Sequence, residues 1–264
     1  MRKNHVRAKL KRGEVSIGTW LSLPDPIAAK LMARVGFDWL NVDLEHTPTS
    51  LETAALSFAM IASEGPAPLA RVAWNNGQNI KRALDNGAWG IIVPMINSAA
   101  EARAAIQDAR YAPLGNRSVG GQLHAVGFNT SPATYYENAN DEILVVLMAE
   151  HVKSIEALEE IASVPGIDAL FIGPNDLLQS MGLKPGFDSA DPRFNDALKK
   201  VVAVAKAHGI APGIHAADAA MAKKRIAEGF QFIAVASEVG MMLAKAAEVA
   251  KALDLGSGAA VAKY

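Results

Sequence analysis

The sequence predicts an α/β protein with one closed (β/α)8 barrel of the TIM type, formed by the whole of residues 1–264. Three observations carry the prediction. The chain of 264 residues matches the length such a barrel needs, about 250 residues. Short β-rich apolar runs alternate with Ala-rich helical patterns from end to end, which is the rhythm of βα units around a parallel sheet. The rival, an open doubly wound sheet, would carry a Gly-rich fingerprint after its first strand, whereas the chain has Ser22-Leu23-Pro24-Asp25 there.

The elements follow in order. Residues 15–23 (VSIGTWLSL) read as the first strand. The helix at 25–35 has Asp25 as N-cap, Pro26 at its first position and Gly36 at its end. Strand 39–45 and helix 51–64 form the second unit, strand 68–74 and helix 78–86 the third. The run 90–96 (GIIVPMI) is apolar almost throughout, as expected of a strand buried on both faces, and 99–110 is its helix. A Gly- and Asn-rich stretch, 111–130, breaks the rhythm, and a loop of that length is usually functional. An extra helix is predicted at 132–138, then strand 143–149 with helix 155–163. Strand 169–173 leads into a Gly/Pro-containing loop up to Pro192, followed by helix 193–208. Strand 211–215, helix 219–228, strand 232–236 and helix 239–253 complete eight units, with a Gly/Ala-rich tail at 254–264.

Composition narrows the function. Half of the residues are apolar and 20% are charged, which suits a filled core. With 26 basic and 27 acidic side chains there is no bulk electrostatic case for nucleic acid or an anionic membrane. The absence of cysteine excludes disulfides, thiolate catalysis and Cys-ligated zinc. The start, MRKNHVRAKLKRGE, is basic without an apolar stretch behind it, and no apolar run is long enough for a bilayer. The expectation is a soluble cytoplasmic protein.

Barrel chemistry sits at the C-terminal ends of strands, so the polar residues there are the candidates. Strand two ends in Asp43-Leu44-Glu45-His46, strand three carries Arg71, strand five leads to Glu150, strand six to Gly173-Pro174-Asn175-Asp176, and strand seven to His215. Glu150 and Asp176 leave adjacent strands. Two carboxylates at one mouth repel, and a hard divalent cation relieves that repulsion; the alternative is that each caps the next helix. A two-carboxylate site leaves most of the coordination shell to water and substrate, which suits Mg²⁺ or Mn²⁺ and admits Co²⁺. His46, beside Asp43 and Glu45, is a candidate base or a locally bonded loop histidine. Arg71 in an apolar strand requires a partner: a bidentate clamp on a ligand carboxylate, or a salt bridge, for example to Asp43 or Asp85. His215, at the end of strand seven, is expected to project into the barrel mouth opposite the metal, unless it bonds backbone within its own loop. Lys30, Lys81, Lys153, Lys199 and Lys200 fall on or beside helices and Lys184 in a loop. No predicted strand carries a lysine, which disfavours an imine mechanism and leaves a metal as electron sink.

These residues resemble the HpcH/HpaI aldolases, which are class II pyruvate aldolases. The resemblance runs from about Gly18 to Leu253. It is carried by Asp43-x-Glu45-His46-x-Pro48, Arg71-Val72-Ala73-Trp74-Asn75, IKRALDNG at 80–87, Val93-Pro94-Met95, the 110–120 block with Arg110-Tyr111 and Arg117-Ser118-Val119-Gly120, and Phe171-Ile172-Gly173-Pro174-x-Asp176-Leu177. It implies a metal-dependent lyase on a (β/α)8 barrel that acts on a small 2-oxo acid and an aldehyde. Glu150 and Asp176 would hold the metal, Arg71 the donor carboxylate, and His46, oriented by Asp43, would be the base. It also implies a homo-oligomer, trimeric or hexameric, whose last helix is exchanged between subunits and in which Asp85 serves the neighbouring site. The pocket departs from the pattern at three places: Met148 replaces the usual glutamine, Asn175 an alanine and His215 a leucine. The rival readings are a phosphoenolpyruvate- or phosphonopyruvate-type mutase or lyase, a CoA-ester lyase, and a barrel that binds a sugar acid without turnover.

Overall fold

A computed structural model describes residues 1–255. Eight strands form it: β1 Ser16–Leu21, β2 Trp39–Asp43, β3 Ala67–Arg71, β4 Gly90–Val93, β5 Leu144–Met148, β6 Ala169–Ile172, β7 Ala211–Ala216 and β8 Phe232–Ser237. They are parallel, pair in chain order and close β8 onto β1, giving the expected (β/α)8 barrel. Most helices begin where a short polar side chain accepts a first-turn N–H: Asp25, Ser50, Asn76, Ser98, Ser131, Asp191, Asp218 and Ser237. Each such cap satisfies a donor that the helix cannot satisfy itself.

The barrel interior is filled by aromatic rings. Trp39 stacks on Phe232 with centroids 4.3 Å apart, and Phe171 meets Phe232 edge-on at 5.8 Å. All three are fully buried. Gly18 makes room for this layer, because a Cβ there would overlap the Trp39 indole.

Several strands end earlier than the sequence suggests. The β2/β3 ladder stops at Asp43↔Arg71, so Glu45 and Trp74 lie in the loops above it. Their apolar and aromatic neighbours extend the β pattern beyond the last ladder bond. The predicted helix 155–163 is two short helices, Val152–Glu156 and Leu158–Ala162. The 111–130 stretch contains a helix at Leu123–Gly127, and the loop after β6 contains one at Pro174–Ser180.

The basic N-terminus forms a helix, His5–Lys11, that the sequence reading did not anticipate. It buries Val6 and Leu10 beneath the N-terminal ends of the strands. Arg7 pairs with Asp168 before β6 at 2.7 Å, and Lys9 with Asp38 before β2 at 2.6 Å. Among the described residues no helix is long and apolar enough to cross a membrane. Most of the 254–264 tail lies outside the described residues.

Candidate active site at the C-terminal mouth

The last residues of β2 and β3 face each other in register, and their side chains join. Arg71 Nε and Nη2 donate to the two oxygens of Asp43 at 2.8 and 2.7 Å. Arg71 Nη1 lies 3.0 Å from Glu45 Oε2. Of the two partners suggested by the sequence, Asp43 is therefore the one found, and Asp85 is bound elsewhere. The guanidinium stands over the Trp20 indole, with Cζ 4.8 Å from the ring centroid. It keeps 13% of its side-chain surface exposed.

Glu150 follows β5 and is 2% exposed. It caps no helix, since His151 is the N-cap of the next one. Oε1 accepts from the Met95 N–H at 2.9 Å, and Oε2 has no protein partner although it is buried. Met95 donates from a left-handed conformation, φ 55°, a strained geometry for a residue with a side chain. Burial, opposed by the Met95 N–H and aided by the Asp176 charge, pushes the Glu150 carboxyl up to about 8. Gly173 is the cradle: a Cβ there would overlap Oε2 and crowd Met148 Cε at 3.1 Å. Asp176 is exposed in the first turn of Pro174–Ser180, where a negative charge suits the helix dipole. Pro174 is buried above Gly173, Asn175 is half-buried beside it, and Met148 floors the site at 2% exposure.

This arrangement fits a divalent cation. A buried carboxylate oxygen without a donor needs a counter-charge, and a second carboxylate stands near enough to raise its pKa. Among the described residues no cluster of three or more His, Cys, Asp or Glu is assembled for a metal, and the candidate donors at this mouth are Glu150 and Asp176.

Two expectations are corrected, for His46 and His215, and Asp85 lies apart from this cluster within the protomer. Asp43 does not orient His46, because both of its oxygens are taken by Arg71. The carboxylate beside His46 is Glu45, with Oε2 3.7 Å from Nε2, and the His46 side chain is 59% exposed. Asp85 belongs to a different cluster: it accepts from the buried Arg117 at 2.7 Å, and Arg117 stacks on Tyr111 at 4.6 Å. His215 offers no free nitrogen to a ligand. Its Nδ1 accepts from Trp20 Nε1 at 3.0 Å and its Nε2 donates to the Ala236 carbonyl at 2.9 Å. The ring is packed between Trp20 and Phe187, and that burial pushes its pKa down to about 4, leaving it neutral.

The sequence reading named Glu45 among the polar residues at the end of strand two but gave it no role, and it passed over Trp20 and the Met95 N–H as site components. Glu45 is two residues after Asp43, the period that returns a side chain to the same face. Burial raises its carboxyl above the usual range, opposed by the charge of Arg71.

Fold and site together define an enzyme-type barrel mouth, with an arginine–carboxylate cluster beside a buried glutamate and an exposed aspartate. Residues 16–245 match the HpcH/HpaI aldolase/citrate lyase family. The chain is 37% identical over 247 residues to a 4-hydroxy-2-oxo-heptane-1,7-dioate aldolase from Shigella sonnei, covering 93% of each protein. It is 38% identical to the enzyme of that name from Salmonella dublin, covering 93% of this chain and 92% of that one. Among solved structures, it resembles an HpcH/HpaI aldolase/citrate lyase family protein from Burkholderia cenocepacia J2315, at TM-score 0.89 and 32% identity, covering 96% of this chain and all of the other. An HpcH/HpaI aldolase from Desulfitobacterium hafniense DCB-2 aligns at TM-score 0.87 and 28% identity, over 97% and 98% of the two chains. The chain belongs to the HpcH/HpaI aldolase/citrate lyase family and is a class II aldolase.

Proposed function

We propose that this enzyme cleaves and forms 4-hydroxy-2-oxo acids through a pyruvate-type enolate, with Glu150 and Asp176 as its metal ligands. The observation that carries the metal site is Glu150 itself: one oxygen is fixed by Met95 and the other is buried with no donor. A divalent cation bound there supplies Lewis-acid polarisation of the donor ketone. Mg²⁺, Mn²⁺ and Co²⁺ all suit a site with two protein carboxylates.

Arg71 holds the donor carboxylate, while Asp43 and Glu45 fix the guanidinium and balance its charge. His46 takes the proton from the C4 hydroxyl. The C3–C4 bond then breaks, its electron pair forms the enolate, the C4 fragment leaves as an aldehyde, and protonation of the enolate carbon yields pyruvate and restores the base. In the other direction the same base removes a methyl proton from pyruvate, the enolate adds to the aldehyde, and the protonated base returns the proton to the new C4 alkoxide. Gly173, Pro174, Asn175 and Met148 line the donor pocket, and His215 contributes packing rather than a hydrogen bond.

The working unit is a homo-oligomer. Helix Glu238–Ala252 buries only Glu238 and leaves Met242, Val249 and the following Leu253 exposed. Ile27, Leu31 and Val35, four residues apart, form a second exposed apolar stripe. Apolar surface so exposed fits a last helix that packs on a neighbouring subunit, with Asp85 presented to that neighbour's mouth.

The test is turnover of oxaloacetate, of pyruvate with an aldehyde panel, of phosphonopyruvate and of a CoA ester, each with and without chelator. Metal-dependent enolate chemistry on the first two is expected. Turnover confined to phosphonopyruvate or the CoA ester, or chelator-insensitive aldol cleavage, overturns the proposal.

A further inference from the structure

His215 stands at the end of β7, and its hydrogen bonds run to β1 and β8 rather than to the pocket. The Trp20 indole N–H can only donate, so His215 Nδ1 must be the acceptor. Its proton is therefore on Nε2, where the Ala236 carbonyl accepts it. Ala236 holds that carbonyl in place from a left-handed conformation, φ 50°. Phe187 meets the imidazole edge-on at 5.1 Å and Phe171 meets the indole edge-on at 6.0 Å. The indole is 5% exposed, and one face lies beneath the Arg71 guanidinium.

Asp43 holds Nε and Nη2 of Arg71 along one edge and Glu45 meets Nη1 at 3.0 Å, so the carboxylates restrain the fork at its edges and leave its face to be supported otherwise. The indole plate supports that face, with Cζ 4.8 Å from the ring centroid, because a guanidinium is attracted to an aromatic face. We infer that His215 is a positioning residue that locks the Trp20 indole beneath Arg71 and so sets the plane in which the donor carboxylate is clamped. This rests on the donor-binding role proposed for Arg71. His215→Leu frees the indole N–H and lets the plate tilt, which weakens donor binding on the order of tenfold, the scale of a desolvated cation–π contact. His215→Phe keeps the ring volume without either hydrogen bond and should behave like Leu. His215→Gln supplies one acceptor and one donor and should restore the lock.

The experiment uses full-length, metal-loaded protein labelled with 5-fluorotryptophan. Trp20 is assigned in the ¹⁹F spectrum by Trp20→Phe, and oxaloacetate decarboxylation is measured in parallel. The expected result is a displaced Trp20 resonance and a roughly tenfold higher KM in the Leu and Phe variants, kcat within about twofold, and recovery of both by Gln. An unmoved resonance, a moved resonance with unchanged KM, or failure of Gln to recover either overturns the inference. If the wild-type enzyme turns over no 2-oxo acid, the proposed function falls and Arg71→Met decides this inference separately. A Trp20 resonance shifted by Arg71→Met in the wild-type background but not in the Leu background sustains the lock, and equal shifts in both refute it.

Discussion

Replacing Glu150 with Gln in metal-free protein should make the protein more resistant to alkaline pH. The buried carboxyl lies at about 8, against 4.5 for an ordinary glutamate. At about 1.4 kcal/mol per tenfold, that gap sets an upper limit of roughly 5 kcal/mol. Because the folded-state value is raised, this stability is fully present below about pH 4.5 and is lost as the pH rises through about 8. Glutamine has no proton to lose and keeps an oxygen for the Met95 N–H. Urea unfolding at pH 5, 7 and 9 in chelator should therefore show the variant gaining on the wild type by several kcal/mol as the pH rises. Excess Mn²⁺ at pH 8 should stabilise the wild type alone, by about 2.7 kcal/mol at a hundredfold excess over Kd. Parallel stability profiles for the two proteins across this range would refute the reasoning, because Glu150 would then ionise as freely when folded as when unfolded.

Arg71→Ala should cost at least about 3 kcal/mol in kcat/KM for oxaloacetate decarboxylation, since it removes the clamp and leaves Asp43 buried without its partner; an unchanged value would make Arg71 purely structural. Gly173→Ala should weaken Mn²⁺ binding by about 10- to 100-fold in calorimetric titration, because its Cβ displaces the Glu150 oxygen that has no other partner. Wild-type affinity in that variant would place the metal elsewhere. Removal of the chain after Glu238 should lower the oligomeric state in light scattering, and an unchanged mass would show that the last helix is not an assembly element.

The order of the eight strands was legible because each βα unit carries its own signals: an apolar run buried on both faces, then a capping residue such as Asp25 or Asn76. Strand ends were not legible to the residue. The β pattern of Asp43-Leu44-Glu45 continues past the point where β3 stops pairing with β2. The helix His5–Lys11 was hidden by its charge, although Val6 and Leu10 are four apart and both buried. In the site, Arg71, Glu150 and Asp176 were readable as polar exits from apolar strands. Met95 was not, because its contribution is a backbone N–H in an unusual conformation, which no side chain announces. His215 suggested a polar pocket wall, yet its nitrogens are spent on Trp20 and Ala236. Those groups lie some 200 and 20 residues away in sequence and become neighbours only when β8 closes onto β1.

The aromatic layer of Trp39, Phe232 and Phe171 turns the barrel into a blind well. Everything that enters or leaves must use one opening, so the position of a ligand in the well sets its place in the queue. In the proposed cleavage the fragment held by Arg71 and Glu150 is deepest, and the aldehyde lies above it. The aldehyde must depart first, and in synthesis pyruvate must arrive first. Steady-state kinetics should therefore be ordered: pyruvate competes directly with the cleavage substrate for the free enzyme, and the aldehyde inhibits noncompetitively. Competitive inhibition by the aldehyde would mean that a second exit exists.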